Sequence, residues 1–128
     1  MKLAGAAARY MLGLMFLVFG LNDFLNFIPM GPMPAGPAGV FAGLLLTTHY
    51  VYAVGAVMVI SGILFLINRF VPLGLVLLGP VLVNILLFHL FMQPRTIGMG
   101  VFATLLWLLV AWQHRAAFEV LFEARFKG

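Results

Sequence analysis

Seven polar side chains stand in otherwise very apolar surroundings and are the residues of this sequence that could do chemistry: Asn22, Asp23, Asn26, His49, Asn84, His89 and Arg95. Each is costly in hydrocarbon, so such residues tend to face a protein interior, water or a ligand. Carboxamides and an imidazole offer hydrogen bonds to carbonyl oxygens, and an aspartate or a histidine can take or hold a proton. On a helix, Asn22, Asp23 and Asn26 fall within one arc of about 100°. With no cysteine, the chain has no thiol redox chemistry, no disulfide and no thiolate ligand for a metal or cluster. It also carries no glycine-rich nucleotide loop, so electrons for any redox step would have to come from a partner. No metal site is expected, and no catalytic residue is assigned.

The elements that must position these residues follow from composition. The chain has 128 residues, 65% hydrophobic, with seven Lys+Arg and three Asp+Glu and a mean hydropathy of +1.19. So few charges cannot cover the surface of a water-soluble globule. A helix of about 20 apolar residues crosses the ~30 Å hydrocarbon core with every backbone group satisfied internally. Four such spans are predicted, over residues 9–27, 49–67, 71–92 and 97–112. Asn68, Arg69 and Phe70, and then Gln93, Pro94 and Arg95, form short turns that force antiparallel neighbours. The fold class is therefore all-α: one domain over 1–128, a four-helix transmembrane bundle. The apolar start reads as a retained span rather than a cleaved signal peptide.

Between the first two spans, Pro29, Pro32, Pro34 and Pro37 forbid regular helix. A Pro/Gly-rich cap is expected there, followed by a short half-helix after Pro37. It either dips back among the helices or rests on lipid heads. Beyond the fourth span, Arg115, Glu119, Glu123 and Lys127 recur at i,i+4, with Phe118, Leu121, Phe122 and Phe126 on another face. That pattern predicts an amphipathic interfacial helix. Lys2, Arg9, Arg69, Arg115, Arg125 and Lys127 lie on the side of the termini, against Arg95 alone on the other. The positive-inside bias puts both termini in the cytoplasm and the cap in the periplasm. The pI near 10.2 then reflects topology and contact with membrane lipids, not nucleic acid.

Gly13 and Gly20, and Gly55 and Gly62, are each seven apart and mark close-packing faces. Pro80 is expected to bend the third span. Rise along the helix puts Asn22 and Asn84 about 20 Å from the cytoplasmic ends, and Asn26 and His89 about 26 to 28 Å. Thr47, Thr48, His49, Gln93 and Arg95 extend the same layer. Two readings stand: one polar pocket in the periplasmic half, with Asp23 compensated by Arg95 or protonated His89, or plain interhelical hydrogen bonding.

The stretch RYMLGLMFLVFGLNDFLNF at 9–27, the Pro/Met-rich loop, and GAVMVISGILFLINRFVPLGLVLLGPVLVNILLFHLFM at 55–92 resemble the DoxX-like family of small four-helix bacterial membrane proteins. The likeness covers nearly the whole chain, and its most specific parts are VFGLN ending at Asn22 and PVLVNILLFHLF from Pro80 to Phe91. The resemblance implies a multi-pass protein of the bacterial inner membrane, with relatives linked to quinone-reducing sulfur oxidation, to membrane complexes handling oxidative stress, or to membrane-protein assembly. The chain departs from the family in having Met58, Asp23 and Asn26 where an acid, a glycine and a histidine are common.

Three functions are carried forward. The first is a redox-linked or accessory subunit binding a quinone or similar amphiphile, with His89, Asn84 and Asn22 as donors and Phe, Leu and Met lining the tail slot. The second is a structural or assembly subunit, as a homo-oligomer or part of a larger membrane complex. The third is a b-type haem protein with His49 and His89 as axial ligands.

Overall fold

A computed structural model describes residues 2–29 and 31–128; Met30, assigned to the cap, lies outside the described residues. Every regular element among them is helical. The elements are α1 (Lys2–Leu25), α2 (Pro37–Thr47), α3 (Tyr50–Ile67), α4 (Val71–Met92) and α5 (Gly98–Gln113), with 3-10 segments at Pro94–Thr96 and Arg115–Phe122. Three helices, α1, α3 and α4, are long and apolar enough to cross a membrane. The count is four if α5 and the 3-10 segment bent 84° from it form one span.

The boundaries have local causes. α1 starts well before the predicted span because residues 2–8 are Lys, Leu, Gly and four Ala, mostly strong helix formers. It stops at Leu25 because the Asn22 carboxamide accepts the Ile28 N–H at 2.7 Å and Asn26 turns left-handed at φ 52°. α2 opens on a proline in its first turn behind Gly36 at φ 74°. At eleven residues it is about 16 Å long and too short to cross. His49, left-handed at φ 61°, separates α2 from α3. Asn68 and Phe70, both at φ 55°, make the tight turn into α4. α4 runs unbroken through Pro80.

α1 packs chiefly on α3, α3 on α4, α4 on α5, and α5 back on α1, closing a ring of four helices; α2 packs on α3 and α4. All four neighbours are antiparallel. Gly13 meets Gly62 and Gly20 meets Gly55, Gly74 meets Phe65, Gly100 meets Ile85, and Gly5 meets Gln113. Lys2, Asn68 and Gln113 therefore share one end, called here the terminal end, and Leu25, Tyr50, Met92 and Gly98 share the far end. Leu12, Phe16, Phe65, Leu75, Leu78 and Val110 form the core. Large apolar side chains such as Leu14, Ile60, Leu73, Val83 and Leu105 point outward. An apolar exterior around a packed interior suits a lipid solvent.

The C-terminal segment differs from expectation. Instead of an α-helix to Lys127, residues Arg115–Phe122 form a 3-10 helix and Glu123 is extended. A 3-10 helix eclipses residues three apart, so the i,i+4 charged face is not built. Arg115 instead donates to the Trp112 carbonyl at 2.9 Å, while Phe118 packs against the core.

Candidate functional site

The seven residues singled out by type and spacing all lie toward the far end, but they do not converge. Asn22 alone is buried, and its oxygen is committed to the Ile28 N–H, so it shapes the end of α1. Asp23 is half-buried against α3, where a Cβ added to Gly55 would stand 2.8 Å from its Cβ and 3.0 Å from its Oδ2. Among the described residues Asp23 forms no ion pair; the expected partnership with Arg95 or His89 is absent. Arg95 is exposed on the 3-10 turn. Asn26 is exposed because the helix ends one residue before it, which takes it off the arc it was expected to share. Asn84 is exposed on the outer surface of α4.

The two histidines lie in separate aromatic clusters. His49 stacks on Tyr52 with centroids 5.5 Å apart, and Tyr52 stacks on Phe24 of α1 at 5.3 Å. His89 meets the edge of Phe88 at 5.1 Å, and Phe88 packs on Phe41 of α2 at 5.4 Å. These rings, contributed by four helices to two clusters, were missed from the sequence, because thirteen Phe among so many apolar residues carry no pattern that separates site from core. Thr47 donates to the Gly43 carbonyl at 2.9 Å, and Thr48 donates to that of Leu44 while accepting the Tyr50 N–H at 3.4 Å, so both hydroxyls are engaged locally.

His89 has a defined chemical state. Its Nδ1 lies 2.8 Å from the Ile85 carbonyl, which only accepts, so Nδ1 carries the proton. Neutral His89 therefore presents Nε2 as an acceptor, and only the imidazolium donates from that position.

An open cavity of about 690 Å³ is at the opposite, terminal end, lined in part by Lys2, Arg9 and Arg115. A second, of about 370 Å³, is an apolar groove of Met11, Leu14, Met15, Val18, Phe19 and Phe102. Neither adjoins Pro80 or any of the seven residues. Arg9 was read only as a topological charge, yet it is buried at 8% exposure and donates from Nη1 to the Phe65 carbonyl. Its signal in the sequence was the run of helix formers over residues 2–8, which carries the helix two turns ahead of Arg9. No family model, no curated protein and no solved structure matches the chain.

Proposed function

We propose that the chain is a four-span protein of the bacterial inner membrane, with both termini cytoplasmic, that holds the ring of a quinone or similar amphiphile at its far end as an accessory subunit. The observation that carries this reading is His89, whose Nε2 has no hydrogen bond among the described residues and whose ring meets Phe88, which in turn packs on Phe41. An aromatic wall accommodates a flat ring by offset or edge contact. The hydrogen-bond logic then selects the redox form. Neutral His89 accepts from a quinol O–H, whereas a quinone carbonyl requires the imidazolium. The DoxX-like resemblance of the sequence points the same way. The chain supplies no electron carrier of its own, which is why the role proposed is binding and handing over, with oxidant and reductant held by a partner.

The test is the quinone and quinol content of lipid extracts from protein purified in mild detergent. His89→Ala and Phe88→Ala should each lower it severalfold, while Asn84→Ala on the outer surface leaves it unchanged. Equal content in all four proteins contradicts the reading.

A further inference from the structure

We infer that the cavity at the terminal end is a site for a phosphate group, gripped by Arg9 with Lys2 and Arg115. The cavity holds three permanent cations and no acid: Lys2 and Arg9 of α1, and Arg115 just beyond α5, with Asn68, Trp112 and His114 completing its wall. The three carboxylates of the sequence lie elsewhere, Asp23 toward the far end of α1 and Glu119 and Glu123 on the exposed C-terminal segment.

Arg9 is the anchor. A guanidinium taken out of water without a carboxylate is unfavourable unless its N–H groups find acceptors. It has five donors in a planar fork, and one is used on the Phe65 carbonyl near the end of α3. That contact, favoured by the negative end of the α3 dipole, accounts for part of its stability. The remaining donors are not sealed in protein, since the sole buried side-chain polar atom lacking a partner among the described residues is Ser61 Oγ. One face of the guanidinium lies over the Tyr10 ring at 4.3 Å to its centroid, and Arg9 lines the cavity beside Lys2 and Arg115.

Arg115 is ordered in advance. Its guanidinium lies over the Trp112 ring at 4.5 Å and is tethered to the Trp112 carbonyl at 2.9 Å. Two guanidiniums and an ammonium around one open cavity match the charge and bidentate geometry of a phosphate. His114 has Nδ1 committed to the Val110 carbonyl at 2.9 Å, so its imidazolium adds a donor and its neutral form does not. The floor is held by a close fit: a Cβ on Gly5 would fall 1.6 Å from Gln113 Nε2, so the glycine lets the Gln113 side chain lie flat on α1.

The phosphate has two possible sources, an anionic lipid headgroup or free phosphate. The site is separate from the ring-binding region at the far end, and its test does not depend on that region. Full-length protein in a neutral detergent is titrated with inorganic phosphate, and separately with short-chain phosphatidylglycerol, while thermal stability is read against sodium chloride of equal ionic strength. A ligand bound to the folded state raises stability saturably. A saturable rise with phosphatidylglycerol alone identifies the headgroup, and one with inorganic phosphate, free phosphate. In either case Lys2→Gln with Arg115→Gln should weaken the apparent affinity about tenfold or more, as expected for lost charged hydrogen bonds. Arg9→Gln should abolish the effect, and if that variant does not fold, the Lys2 and Arg115 pair carries the test. The inference is overturned if neither ligand exceeds chloride, or if the charge-neutralised variants respond as the wild type does.

Discussion

Gly20 and Gly55 face each other across the α1–α3 seam so closely that a Cβ on either would stand about 3 Å from the other's carbonyl oxygen, at 2.9 and 3.1 Å. Two turns along, Gly13 and Gly62 repeat the relationship at 3.0 and 2.8 Å. In lipid, helices gain no hydrophobic drive toward one another, so close backbone approach and dispersion must hold them. Gly62→Ala places its Cβ 2.7 Å from the Leu17 backbone nitrogen, which cannot swing aside. Overpacking of this kind should cost about 1–3 kcal/mol, read as a lower Tm in detergent. Gly43→Ala, with open space around the new Cβ, is the control and should be neutral or stabilising by up to about 1 kcal/mol.

Ser61 is fully buried on α3 and its hydroxyl has no hydrogen-bond partner among the described residues. An unmet buried hydroxyl is unfavourable, and removing it removes the desolvation cost. Ser61→Ala should therefore leave thermal stability equal to or above that of the wild type. A clear loss of Tm would show that the hydroxyl finds an acceptor.

Asp23 rests against Gly55 with no ion pair among the described residues, and Arg95 is exposed on the turn after α4. Uncoupled sites give additive effects. Asp23→Asn combined with Arg95→Gln should show an interaction energy within about 0.5 kcal/mol of zero in a double-mutant cycle of thermal stabilities. A larger coupling would restore the ion pair that spacing first predicted.

Trp107 of α5 donates from Nε1 to the Leu75 carbonyl of α4 at 3.0 Å, fixing the register of the two helices four residues below the carbonyl of Gly79, which precedes Pro80. Trp107→Phe keeps a ring and removes the donor. A stability loss of about 1 kcal/mol is expected, with no change in quinone content, since Trp107 is far along the bundle from His89.

The turn between α3 and α4 was the most legible feature of the sequence. Asn68, Arg69 and Phe70 marked the α3–α4 turn, and α4 occupies the predicted 71–92, because turn chemistry is local. Seam glycines were legible for the same reason, since a seven-residue spacing puts them on one face. What side chains face was not. α4 is apolar all round, so nothing in its periodicity indicated that Asn84 points outward while His89 is half-buried. Rise along a helix gives depth reliably, but orientation about the axis depends on packing against neighbours. The same holds at the C-terminus, where a charge spacing suited to an α-helix met a chain that turns 84° and winds as a 3-10 helix.

The most direct measurement for the whole account is sidedness. The absence of native cysteine makes single-cysteine labelling in intact cells unambiguous. In Met33→Cys and Thr96→Cys, a membrane-impermeant thiol reagent should react from outside, whereas Phe126→Cys should react only after the membrane is opened. That result requires α5 to cross and puts the C-terminus in the cytoplasm, as the four-span reading expects. Phe126→Cys labelled from outside together with Thr96→Cys would leave only α1, α3 and α4 crossing, and would contradict the four-span bundle on which both proposed sites rest.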